Sequence, residues 1–92
     1  MNIIWSDQAK STYEKMIDFI LEQWNADIAL DFERRTNNLL DNLKINKNLC
    51  PASKKSKLRK CVIHKNAALI YKVKKHAIEL ITFIDNRSEN AF

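Results

Sequence analysis

The chain contains no glycine and one proline, Pro51, so its turns must be made by residues that keep a Cβ, and a glycine-rich phosphate cradle is excluded. No apolar run approaches the ~18 residues of a membrane span. Stretches such as Ile3-Ile4-Trp5 and Leu69-Ile70-Tyr71 have the length of strands instead. The first residues lack a basic start followed by an apolar core, so the expected location is the cytoplasm, with no membrane partner. Two cysteines, Cys50 and Cys61, and two histidines, His64 and His76, show neither CxxC nor HxxxH spacing, so no metal site and no cofactor are expected. Cytosolic thiols are normally kept reduced, which makes one cysteine a loop residue and the other a strand residue.

What is present describes one domain over residues 1–92, with 46% hydrophobic and 29% charged residues. Charge is distributed unevenly. Residues 1–46 hold five Lys/Arg against eight Asp/Glu, whereas residues 47–92 hold eleven against three, so −3 and +8 sum to the net +5. A basic C-terminal half suits an anionic partner, either nucleic acid or an acidic protein segment.

Asn2-Ile3-Ile4-Trp5 has strand character and is halted by Ser6-Asp7, both good helix N-caps. Ala9, Tyr13, Met16, Ile17, Ile20, Leu21 and Trp24 then recur at steps of three and four, which predicts an amphipathic helix over 6–24. Asp27 can cap a second helix carrying Ile28, Ala29, Phe32, Leu39, Leu40 and Leu43 and ending near 44–46. The short link makes the two helices an antiparallel hairpin. Residues 46–57 have no apolar period and contain Pro51, so they form a basic loop. Three strand-like segments follow, Leu58–His64, Ala67–Lys74 and Ala77–Ile84, joined by the hairpin-length gaps Lys65-Asn66 and Lys75-His76. They predict an antiparallel meander with Asn66 at positive φ. The apolar face of that sheet must cover the helix pair, leaving the other face for a partner.

Chemistry-bearing constellations are few. Residues 53–60 place five basic side chains, Lys54, Lys55, Lys57, Arg59 and Lys60, within eight positions, which makes either a phosphate-binding rim or an edge protected by lysines. Arg87 follows the last strand and can return toward the sheet. Tyr71 either lines a site or packs in the sheet with its hydroxyl at a polar edge. Trp5 and Trp24 read as core packing of strand and helix. The carboxylates Asp18/Glu22 and Asp31/Glu33 lie on solvated helix faces, and no nucleophile–histidine arrangement is available.

The ordered set Trp5-Ser6-x-x-Ala9, Glu22-Gln23-Trp24, Pro51-Ala52-Ser53, Arg59, Leu69-Ile70-Tyr71-Lys72-Val73 and Phe83-Ile84-Asp85-Asn86-Arg87 resembles the RelE/ParE superfamily of bacterial type II toxins. The resemblance spans nearly the whole chain. It implies an α+β fold of order β-α-α-β-β-β, an antiparallel sheet packed on an N-terminal helical hairpin, which is the order that periodicity predicts separately. It also implies a growth inhibitor neutralised by a cognate antitoxin, with operator DNA reached only through that antitoxin.

RelE-like members cleave mRNA on the ribosome, using basic residues on the sheet and often a C-terminal tyrosine, whereas ParE-like members inhibit DNA gyrase. Here Ala68 stands where RelE-like enzymes carry an arginine before the Leu-Val-Tyr-like run, and no tyrosine follows Arg87. Each loss should remove ~2–4 kcal/mol of transition-state stabilisation. The resemblance therefore favours a non-enzymatic, gyrase-directed ParE-like toxin. The alternatives are a ribosome-dependent mRNA endoribonuclease of RelE type, with Lys60 and Arg87 as catalytic candidates, and a binding module without activity. Antitoxin or target binding is assigned to Lys54, Lys55, Lys57, Arg59, Lys60, Tyr71 and Arg87.

Overall fold

Ser6 leaves an extended backbone and accepts the Ala9 N–H on its side chain, which starts α1, Asp7–Gln23, directly after β1, Asn2–Trp5. The computed structural model describes residues 1–86; Arg87 and the rest of the C-terminal segment lie outside the described residues. α2 runs Ala26–Ile45 and is capped by Asn25, whose side chain accepts the Ile28 N–H at 3.0 Å. Asp27, the expected cap, instead sits in the first turn, where its charge complements the helix dipole. β2 (Leu58–His64), β3 (Ala67–Val73) and β4 (Ala77–Asp85) complete the expected order. Among the described residues no helix is long and apolar enough to cross a membrane.

The four strands lie in the order β1-β4-β3-β2. β2, β3 and β4 form the expected antiparallel meander, but β1 pairs parallel to β4, Asn2 opposite Ala77 through Trp5 opposite Leu80, so the sheet is mixed rather than antiparallel. The reason lies at Ser6. Its N–H donates to Leu80 O at 3.2 Å and its hydroxyl donates to Ile81 O at 2.9 Å, so the chain stays on the β4 edge as it turns into α1. Further along that edge, the Phe83 N–H donates to the Thr12 hydroxyl at 2.9 Å. Two helix-side hydroxyls thus replace a neighbouring strand where β1 stops.

β4 carries a bulge: Ile70 faces Thr82 and Tyr71 faces Leu80, leaving Ile81 as the extra residue. The bulge shifts the alternation, so Leu80 and Phe83, three apart, both join the core with Ile78. A second irregularity, between Val62 and His64, precedes the Lys65-Asn66 turn. No described residue has positive φ, which corrects the expectation for Asn66. A two-residue hairpin of ordinary φ mismatches the strand twist, and the extra residue Ile63 takes up the mismatch. The turn is closed by side-chain and tail contacts: the Asn66 N–H donates to His64 Nδ1 at 3.4 Å, and the Asn86 N–H donates to Asn66 O at 3.1 Å.

Four aromatic rings from four elements lock the helices to the sheet. Tyr13 of α1 lies 5.4 Å from Trp5, 5.5 Å from Phe32 and 5.0 Å from Phe83, between ring centroids. Trp5 therefore packs as expected. Trp24 does not: it caps α1, stays 38% exposed and meets Phe19 edge-on at 5.9 Å. Thr36 of α2 is polar yet buried; its hydroxyl donates to Phe32 O at 2.8 Å, which satisfies it within the helix.

Replacing Thr12 by valine keeps the shape but leaves the Phe83 N–H without an acceptor. Stability in urea unfolding should fall by about 1–3 kcal/mol with an unchanged denaturant slope. A loss no larger than that of Ser11→Val, at the exposed neighbouring position of α1, would show that the β4 edge does not need this hydroxyl.

Candidate functional site

The basic segment after α2 is not a loose loop. Ala52 bridges antiparallel to Arg59, the Ser53 N–H donates to Leu58 O at 2.8 Å, and the Lys60 N–H donates to Pro51 O at 3.2 Å. Residues 50–53 thus run along the outer edge of β2, and residues 54–57 form the tip of a hairpin. Two steps outward from the Ala52–Arg59 pair, the register sets Cys50 opposite Cys61, and the two form a disulfide with Cα atoms 5.3 Å apart. This corrects the reading of the cysteines as two separate reduced thiols. A signal was present in their symmetric placement, four residues before Lys54 and four after Lys57.

Cys50 gathers the contacts at the base of the hairpin. Its N–H donates to the Tyr71 hydroxyl oxygen at 3.4 Å, and that hydroxyl donates to Lys47 O at 2.8 Å. Its carbonyl accepts from Arg59 Nη1 at 2.7 Å, and the same nitrogen reaches Asn48 O at 3.4 Å. Tyr71 is fully buried; burial raises its pKa, partly offset by the Cys50 amide and the Arg59 charge, so it stays a donor at neutral pH. Tyr71 and Arg59 are cross-strand partners whose side chains serve the loop base. The structure therefore places both behind the site rather than on it.

Lys54, Lys55 and Lys57 stand exposed at the tip, where Ser53 Oγ accepts the Lys55 N–H at 3.1 Å and Ser56 Oγ accepts the Leu58 N–H at 3.3 Å. Lys60 alternates to the opposite side of β2 from Arg59 and lies across from Ile70. Between tip and strand runs an open groove of about 590 Å³, lined by Leu49, Pro51, Ala52, Lys54, Lys60 and Val62 among others. Its apolar walls had no signal in the charge run. Beyond it extends the sheet face that the helices leave open, with Val62 63% exposed, Ala68 and Ile84 beside it in register, and Lys72 opposite Glu79. Arg87 lies outside the described residues.

A second charged group sits behind the β2–β3 turn. Arg35 Nε pairs with Asp31 Oδ2 at 2.8 Å and its Nη1 donates to Ile63 O at 3.4 Å, while Arg34 also pairs with Asp31. The hydrogen bond from Arg34 holds the Asp31 carboxyl below the usual carboxylate range. Burial, together with the Arg35 and Lys65 charges, pushes His64 down. His64 pairs with Ala67, a core residue, at the start of the β2–β3 turn. Among the described residues no group of three His, Cys, Asp or Glu could hold a metal ion.

The family model described as ParE toxin of type II toxin-antitoxin system, parDE, matches residues 3–91. Among solved structures, the chromosomal ParDE TA system from P. aeruginosa is similar with a TM-score of 0.75 at 15% identity, over 92% of this chain and 95% of that one. The YoeB/ParE toxin from Agrobacterium tumefaciens gives 0.67 at 15% identity, over 92% and 98%. The YoeB-YefM complex from Staphylococcus aureus gives 0.62 at 21% identity, over 91% and 94%. No curated protein matches the sequence significantly.

Two measurements check this geometry. Tyr71→Phe should cost about 1–2 kcal/mol, by leaving the Cys50 N–H and Lys47 carbonyl unpartnered, and should speed hydrogen exchange at the Cys50 amide. Wild-type exchange there would exclude the tie. His64, held below its ordinary value of about 6.5, is neutral in both folded and unfolded chains above that pH. As pH falls, the unfolded chain takes up the proton first, so stability drops until the folded-state pKa is passed. His64→Gln should flatten that slope in pH-dependent urea denaturation, and an identical slope would assign it to other groups.

Proposed function

The chain belongs to the ParE toxin family of type II toxin-antitoxin systems, and on that premise we propose that it inhibits growth by binding DNA gyrase and is held inactive by a cognate antitoxin. The observation carrying the reading is the centre of the open sheet face. Ala68, the position where RelE-like enzymes carry an arginine, is fully buried between Val62 and Ile84 in register, with buried Ile70 next along the same face. This face presents Val62, 63% exposed, over a floor of buried Ala68 and Ile70. It offers little to stabilise the charge that develops on a phosphate during RNA cleavage.

On this side Lys60 and Lys72 are diagonal neighbours across β2 and β3, beside the buried Ala68 and Ile70, and Lys54 lines the adjoining groove. Cations beside an apolar floor suit a segment that alternates acidic and apolar residues, as an antitoxin would supply. Two of the similar solved structures are toxin–antitoxin complexes by their descriptions, YoeB-YefM from Staphylococcus aureus, which supports a protein partner of that kind. Arg59, expected among the contacts, is already engaged with Cys50 and Asn48, so a charge reversal there would disturb the hairpin as well as any partner.

Inducible expression in bacteria without antitoxin should arrest growth with transcripts intact and a DNA-damage reporter active, and co-expressed antitoxin should restore growth. Arrest with transcripts cut on the ribosome, and cutting lost in Arg87→Ala, would overturn the gyrase reading in favour of an endoribonuclease. Lys60→Glu together with Val62→Glu should weaken antitoxin capture by about tenfold or more without changing the unfolding midpoint by more than a surface substitution does. Undiminished capture would move the antitoxin to another face.

A further inference from the structure

We infer that the Cys50–Cys61 hairpin and the groove beneath it form a thiol-gated docking surface for an acidic peptide segment, open for business only in the sense that oxidation holds the lysine tip in its binding geometry. The inference rests on the proposed antitoxin partner for its biological occupant, but its physical basis is local. Three bonds converge on one residue: the Cys50 N–H goes to Tyr71, its carbonyl accepts from Arg59, and its sulfur is joined to Cys61. The first two hold the base of the hairpin to the sheet. Only the disulfide ties residue 50 covalently to β2, directly behind the pair of backbone bonds, Ser53 to Leu58 and Lys60 to Pro51, that define the tip. The tip itself makes only turn contacts through Ser53 and Ser56.

The groove argues for peptide over nucleic acid. Leu49, Pro51, Ala52 and Val62 provide apolar walls, and Lys54 and Lys60 supply cations. An extended segment with apolar side chains facing the walls and carboxylates facing the two lysines satisfies both features. A phosphate backbone would use the lysines and leave the walls idle.

Both cysteines are buried, Cys50 being 8% and Cys61 2% exposed, so a small thiol reaches the bond when the hairpin opens away from β2, an opening that a bound peptide opposes. A dithiol reductant supplies the chemistry. One of its thiolates attacks a sulfur of the Cys50–Cys61 bond to give a mixed disulfide, and its second thiol then displaces the protein sulfur. The reductant leaves as a cyclic disulfide, and two electrons and two protons remain on the protein as two thiols. Opening the clamp returns conformational freedom to the tip, which must be lost again on binding, so affinity falls. By linkage, a bound peptide makes the disulfide harder to reduce by the same factor.

The test uses the full chain, folded and oxidised, with a fluorescein-labelled peptide of alternating glutamate and leucine and, separately, a labelled single-stranded oligonucleotide. Binding is measured by anisotropy with and without dithiothreitol, and amide exchange at Ser53 and Lys60 is followed in parallel. Oxidised protein should bind the peptide about tenfold more tightly than reduced protein, with faster exchange at both amides after reduction. The Cys50→Ser/Cys61→Ser variant should match the reduced protein in either condition. Lys54→Ala/Lys57→Ala should lose affinity while keeping the disulfide and the slow exchange.

Equal peptide affinity in both redox states, no peptide binding in either, or tighter binding of the oligonucleotide would overturn the inference. A gyrase-independent phenotype in cells with the redox difference intact would fault the proposed function alone. Antitoxin rescue of growth with no redox difference would fault only the gating.

Discussion

The hydrogen-bonding obligations of β4 set the position of every other element. One side of this strand is paired with β3 along nearly its whole length. The other side is paired with β1 for only four residues, after which Ser6 and Thr12 supply the missing partners. A buried backbone group left alone costs as much as several ordinary contacts return, so α1 can begin only where those two hydroxyls reach the strand. That requirement orients the helix layer over the sheet. The four-ring cluster of Trp5, Tyr13, Phe32 and Phe83 then fills the space so defined, with one ring each from β1, α1, α2 and β4.

The bulge at Ile81 couples this core to the opposite surface. By admitting one extra residue it turns both Leu80 and Phe83 toward the helices, while Ile84 falls in line with Ala68 and Val62 on the other side. The open face thereby becomes apolar at its centre. The hairpin ending in Lys54–Lys57 lies at the far edge of the same sheet, held by Tyr71 and Arg59 from behind. One cross-strand pair on the covered side thus positions cations for use on the uncovered side, and this is why Arg59 and Lys60, adjacent in the chain, have unrelated roles.

Element type and order were legible because they depend on local periodicity and caps. The apolar steps of α1 and α2, Ser6 before the first helix, and the β-branched and aromatic runs from Leu58 onward all describe what they form, and β2 begins and ends where its residues predict. Details that depend on distant partners were not. Asn25 outcompetes Asp27 as a cap because the chain turns tightly after Trp24, and that turn leaves the tryptophan half-exposed. Asn66 keeps ordinary φ because a bulge one residue upstream of the turn absorbs the twist, and nothing in Val62-Ile63-His64 marks which residue will be extra.

Composition, charge asymmetry and periodicity by themselves determined that this chain makes a helical hairpin and a three-stranded meander with a basic C-terminal half. Those properties are sums over neighbouring residues, which a sequence states directly. Tertiary structure alone decided that β1 joins in parallel, and that Tyr71 and Arg59 face inward while Lys60 faces out. Each of these follows from register between segments distant along the chain, and a shift of one residue in a strand exchanges its two faces.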